Sequence, residues 1–147
     1  MKKADPPIVL EQIYDAAIED VWSAITEPAE MAKWFFEEIE SFKPEVGFET
    51  RFTVKVEDRI YPHLWKVTEV VPNKKISYIW RYEGYPGCAI SDFELYEKNY
   101  QTLLRLTYTA VEDFPDNILE FTRESGLEGW KYFLRESLRQ YLDEDEE

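Results

Sequence analysis

The chain holds a single histidine, His63, in the run Tyr61-Pro62-His63. Histidine is the side chain whose charge changes most readily near neutral pH. Alone it builds no site. Zinc requires several His, Cys or carboxylate donors together, and neither a cysteine nor a second histidine stands near His63. A nucleophile, base and orienting group would have to use His63, a carboxylate or a lysine as base, and no G-x-S-x-G occurs. G-x-G-x-x-G and Walker patterns are absent too, so no nucleotide cofactor is indicated. His63, beside a proline at a strand entry, is expected to play a structural or surface role. No catalytic residue, metal ligand or cofactor is assigned.

Five polar side chains on predicted strands are candidates for an enclosed acid–base pair: Arg81, Asp92, Glu94, Arg105 and Tyr108. Such a pair would support cyclase, aromatase or hydrolase chemistry. An arginine and a carboxylate enclosed together would have to pair, because unpaired buried charge is costly. A one-residue slip in register inverts which of the five point inward, and most strand charges are expected to face water.

The aromatic side chains say more. There are five Trp, ten Tyr and nine Phe in 147 residues. Trp22, Trp34, Trp65, Trp80, Tyr108, Trp130 and Phe133 are each expected to pack in the core. As a group, bulky rings with few small partners leave voids. Gly126, Gly129 and Ser137, on one flank of the last helix, would deepen such a void. The candidate ligand-binding set is therefore Trp34, Trp65, Trp80, Tyr108 and Trp130, joined by Gly126, Gly129, Phe133 and Ser137. Pockets of this composition take a small apolar or aromatic molecule.

These residues need elements to hold them. In Ser125–Leu142, apolar Leu127, Trp130, Leu134, Leu138 and Tyr141 recur at steps of three and four, one face of a helix. Ser125 and Glu128 form a capping-box pattern, and Gly126 marks a kink or restart. Ile118–Arg123 is read as a helical turn leading in. Upstream, Ile8–Tyr14 reads as a strand, followed by two short helices, Ile18–Ile25 and one beginning at Pro28. Glu38–Phe42 reads as a further strand. Phe48, Thr50, Phe52, Val54 and Val56 alternate with polar residues, the mark of a half-buried antiparallel strand. Leu64–Val71, Lys75–Tyr82, Ala89–Glu97 and Gln101–Thr109 complete the strands. Segregated strands and helices indicate an α+β fold: a curved antiparallel sheet of about six to seven strands wrapped around a long C-terminal helix. No linker or repeat interrupts it, so residues 1–147 are read as a single domain ending in the acidic tail 143–147.

The formal net charge is −14, and the body stays acidic without the tail. Nucleic-acid affinity comes from neutralising phosphates, so neither nucleic acid nor an anionic membrane surface is an expected partner. The acidity suits solubility or a basic protein partner. The one cysteine, Cys88, cannot form an internal disulfide, which fits a reducing compartment. MKKADPP is not a signal peptide, and no apolar run approaches the ~20 residues that span a bilayer. A cytoplasmic location is expected.

Several stretches carry a family resemblance. Ala16–Trp22 resembles A-x-x-x-x-V-W after a first strand, and Thr26-Glu27-Pro28 with Trp34-Phe35 resembles T-x-P…W-F. Val67–Asn73 with Ile76–Trp80 resembles G-x-V-x-E-V-x-P-P…L-x-Y-x-W. Phe93-Glu94-Leu95 and Thr102–Leu106 resemble the paired strands before the last helix. Gly129-Trp130…Leu134…Leu138 resembles G-W-x-x-x-L-x-x-L. In order and spacing the chain resembles the helix-grip, START-like or SRPBCC superfamily. Within it, the chain is most similar to the bacterial branch related to the C-terminal domain of the activator of heat-shock protein 90 ATPase. It departs from the pattern with Gly47-Phe48 in place of Gly-Gly and Tyr108 in place of a histidine. The resemblance implies an apolar cavity between helix and sheet, used by members to bind lipids, sterols, polyketides or hormones and by a minority for cyclisation or dehydration. The eukaryotic activator stimulates a chaperone ATPase, but it carries an additional N-terminal domain that is not expected in this chain.

Overall fold

The strands bury mostly alternate side chains, and the buried sets line up across the sheet. The computed structural model describes residues 1–145; Glu146 and Glu147 of the expected tail lie outside them. The strands are β1 (Ile8–Tyr14), β2 (Glu49–Val56), β3 (Arg59–Val71), β4 (Lys75–Tyr82), β5 (Cys88–Lys98) and β6 (Gln101–Glu112). They form one antiparallel sheet in the order β1-β6-β5-β4-β3-β2. One inward row runs Thr50, Trp65, Trp80, Ala89, Ala110. The next runs Val67, Tyr78, Ser91, Tyr108, Ile8. Two indole side chains thus sit beside two alanines, so the sheet's inner surface is tall on one side and shallow on the other. Register shifts at Val67/Glu69 and Cys88/Ala89 bend the strands further, as bulges do.

Two short helices, α1 (Ile18–Thr26) and α2 (Pro28–Trp34), follow β1. The C-terminal helix runs without a break through α3 (Arg123–Lys131), a π-helical segment (Tyr132–Ser137) and α4 (Leu138–Asp145). Trp130, Leu134, Leu138 and Leu142 are its buried side chains. In a π turn the hydrogen-bond ladder steps out of register, which leaves carbonyls in need of partners. The Tyr14 hydroxyl donates to Leu134 O at 2.6 Å. Ser137 Oγ donates to Trp34 O at 2.6 Å, and the Tyr141 hydroxyl to Glu30 Oε1 at 2.8 Å. These bonds fix the helix to β1 and to α2.

Four expectations are corrected. Glu38–Phe42 is not a strand: Ile39 and Phe42, three apart, are the buried pair, and the stretch is held by Thr50 Oγ1 donating to Ser41 O at 2.8 Å. The sheet has six strands. The last helix is capped by Thr122, whose side chain accepts from Ser125 N at 3.2 Å, so Ser125 lies inside it. The helix runs α-helical through Gly126, and its irregularity falls at Tyr132–Ser137. The strand predicted from Leu64 starts at Arg59, because Pro62 is tolerated within β3 opposite Thr53. A 3₁₀ turn, Leu119–Phe121, precedes the helix.

Candidate functional site

Two glycines of the last helix leave space at one end of the grip. A Cβ added at Gly129 would meet nothing within 4 Å, and one at Gly126 only Ile8 Cδ1 at 3.4 Å. Across the space lie Trp80, Tyr82 and Tyr108 of the sheet. The result is a cavity of about 200 Å³ between helix and sheet.

Its deep wall is aromatic. Trp80 and Tyr108 meet at right angles with centroids 5.6 Å apart, and Trp130 packs on both at 5.7 Å. Phe133 and Phe36 close one side, while Val54 and Val56 of β2 form another. The outer end is formed by Tyr61, Tyr82, Phe114, Phe121 and Glu120. Met1 also lies there: its ammonium donates to Phe121 O and its carbonyl accepts from Phe114 N at 2.9 Å.

Of the expected ligand-binding residues, Trp80, Tyr108, Gly126, Gly129, Trp130 and Phe133 line this cavity. Trp34, Trp65 and Ser137 do not. Trp34 stacks on Phe35, centroids 4.7 Å apart and planes 5° apart, and donates to Ala24 O at 2.7 Å. Trp65 is 2% exposed and packs edge-on against Phe52 at 4.8 Å. Ser137 is spent on its bond to Trp34 O.

The polar candidates separate cleanly by parity. Arg81, Asp92, Glu94 and Arg105 fall on the outer face because Trp80, Tyr82, Phe93, Leu104 and Leu106 fall on the inner one. Arg81 pairs with Glu112 at 3.0 Å and Arg105 with Glu11 at 2.7 Å. Asp92 accepts from Ser77 Oγ, and Glu94 from the Tyr96 hydroxyl at 3.1 Å. Tyr108 alone turns inward, and burial raises its pKa well above the usual value. The acid–base pair expected from these five is not assembled.

His63 is buried, 4% exposed, not on the surface. Its ring stacks on Phe52 at 4.7 Å and meets Tyr82 edge-on at 4.6 Å. Nδ1 lies 2.9 Å from Tyr61 O. A carbonyl only accepts, so Nδ1 carries the proton and Nε2 is the acceptor of a neutral ring. Burial pushes the imidazole pKa down to about 4, opposed by the Tyr61 carbonyl.

Two groups were not anticipated from sequence. Tyr61 is 3% exposed. Burial first, and the Glu120 carboxylate second, raise its hydroxyl pKa. Glu120 Oε1 holds Arg59 at 2.6 Å. The Tyr61 hydroxyl lies within hydrogen-bonding reach of the Glu120 carboxylate, which adds to that rise, although the contact is not of ideal geometry. The Pro62 break hid the alternation that turns Tyr61 and His63 inward. Glu120 lies in a turn and has no periodic signal at all. Among the described residues, no cluster of three His, Cys, Asp or Glu side chains forms a metal site. No helix among them is long and apolar enough to cross a membrane.

A curved antiparallel sheet gripping one long helix over an aromatic cavity defines the START-like, SRPBCC-type class. Within that class the chain belongs to the Activator of Hsp90 ATPase homolog 1-like protein family, whose model matches residues 15–143. Protein CV1439 from Chromobacterium violaceum shares the fold at a TM-score of 0.78 and 22% identity, over 93% of this chain and 96% of that one. The Aha1 dimer from Colwellia psychrerythraea, solved in solution, gives 0.71 and 22% over 94% and 96%. DynU16, from the dynemicin biosynthetic locus, gives 0.73 and 22% over 95% of this chain and 48% of its own. No curated protein matches the chain.

Proposed function

We propose that this protein binds a small apolar or aromatic molecule between Trp80, Tyr108, Gly126, Gly129, Trp130 and Phe133. The observation that carries this reading is the cavity of about 200 Å³ with aromatic walls. An apolar cavity of roughly 150 Å³ already takes up benzene, while pockets for drug-sized ligands begin near 300 Å³. The guest is therefore of one or two rings, and sterols and long-chain lipids are too large. Binding rather than catalysis is favoured because the four charged candidates are engaged on the outer face. The buried free thiol of Cys88 suits a cytoplasmic setting.

A thermal-shift series with toluene, naphthalene, palmitate and cholesterol tests the reading. Naphthalene is expected to raise Tm and cholesterol to leave it unchanged. No shift with any of the four would overturn the proposal.

A second reading is regulation of a chaperone ATPase, supported by the family's own description and by the acidic surface. Recovery of this chain on an immobilised Hsp90-type chaperone at low salt, lost at high salt, is its expected signature. Recovery no better than background removes it.

A further inference from the structure

Five buried side-chain polar atoms among the described residues close no hydrogen bond of good geometry, and three belong to residues lining the cavity: the Tyr61 hydroxyl and Glu120 Oε2, which neighbour each other, and Trp80 Nε1, which neighbours the Tyr82 hydroxyl. Buried polar groups are normally satisfied, and each exception in a folded protein calls for a reason. Here the exceptions concentrate where a guest would sit.

Their chemistry restricts that guest. An ionised carboxylate only accepts, an indole N–H only donates, and a phenol does both. The remaining acceptor of the neutral His63 ring, Nε2, adds to the accepting side. Glu120 Oε2 therefore calls for a donor, and the Tyr61 hydroxyl that neighbours it for a lone pair. A hydroxyl supplies both from one atom. Arg59 is not available to a carboxylated guest, because it already holds Glu120 Oε1 at 2.6 Å and Glu57 at 3.8 Å.

Resting on the cavity-binding reading above, we propose that the guest is a neutral one- or two-ring molecule bearing a hydroxyl. Glu120 and Tyr61 hold that hydroxyl at the outer end of the cavity, and the unpaired oxygen of Glu120 repels carboxylates. Glu120 is then the residue that sets ligand class, and the aromatic wall sets size.

The test is calorimetric titration of the full chain with naphthalene, 2-naphthol and 2-naphthoate. A hydrogen bond to a charged group corresponds to roughly tenfold or more in affinity. 2-Naphthol is expected to bind about tenfold tighter than naphthalene, and 2-naphthoate to bind weakest. Glu120→Gln is expected to cut the advantage of 2-naphthol several-fold and to relieve the exclusion of 2-naphthoate. Tyr61→Phe is expected to weaken 2-naphthol alone. Unchanged naphthalene binding shows that both variants keep the cavity. Naphthalene binding without a preference for 2-naphthol overturns this proposal and leaves the cavity reading standing. The same holds if 2-naphthoate binds tightest, or if both variants keep the wild-type order. Failure of all three compounds overturns both readings.

Discussion

Trp80 and Trp130 meet edge to face, with ring centroids 5.7 Å apart and planes inclined at 64°. One comes from the middle of the sheet and the other from the last helix, fifty residues later in the chain. The pair holds the helix off the sheet, so the space beyond it stays open. Trp130 is 5% exposed. Trp130→Ala is expected to destabilise the fold by about 3–5 kcal/mol, the usual range for removing a buried ring. Urea denaturation measures this, and a loss below about 1 kcal/mol would show that the pair is dispensable.

Gly129 offers the reverse experiment. Nothing lies within 4 Å of a Cβ placed there, and glycine inside a helix costs roughly 0.5–1 kcal/mol relative to alanine. Gly129→Ala should therefore stabilise the protein by that amount. Gly129→Leu should fill the cavity and lower naphthalene affinity at least about tenfold, equivalent to about 1.4 kcal/mol. Full binding by the leucine variant would mean that the guest sits elsewhere.

Gly87 is constrained in two ways. Its φ is +116°, and a Cβ would lie 2.7 Å from Phe114 Cγ. Phe114 closes the outer end of the cavity, so the glycine lets that ring seat. Gly87→Ala should cost about 2–3 kcal/mol through backbone strain and overpacking, read as a lowered Tm. The β5–β6 turn works the other way. Asn99 and Tyr100 both have positive φ, 49° and 68°, and Tyr100 is 94% exposed. Such a two-residue turn favours glycine at its second position. Tyr100→Gly should stabilise by about 1 kcal/mol.

His63 predicts a dependence on acidity. Its folded pKa is about 4 against an ordinary 6.5. Between these values the unfolded chain binds a proton that the folded chain does not, so stability falls as pH drops from about 6.5 to about 4 and levels off below. The loss attributable to this ring is at most about 3 kcal/mol, at 1.36 kcal/mol per unit. His63→Phe keeps a ring against Phe52 and Tyr82 and should flatten the profile in that window. An unchanged slope would place its origin in other groups.

The architecture was readable because alternation and helical spacing are local. Phe48–Val56 and the Leu134–Leu138 repeat each announce their own inward side. What escaped depends on who sits opposite. Trp34, Trp65 and Trp80 look equivalent in the chain, yet only Trp80 borders the space beside Gly126 and Gly129, while Trp65 is enclosed by Phe42, Phe52 and Tyr78. Pro62 suppressed the strand signal in front of Leu64 and with it the inward turn of Tyr61. Glu38–Phe42 has strand-like composition, but its buried residues are three apart. Glu120 reaches the cavity from a turn, and no spacing in the sequence points to it.

The π segment also carries a phase consequence. Trp130, Leu134, Leu138 and Leu142 are buried at intervals of four, and in an α-helix each such step overshoots a full turn by about 40°. Three steps would carry the stripe a third of the way around the cylinder. Widening the coil between Tyr132 and Ser137 takes up that excess, like a vernier set between two rulers of unequal pitch. Deleting one residue there would close the coil to a regular helix with Trp130 and Leu142 eleven positions apart, three turns and about 20° on, so the far end would still face the sheet.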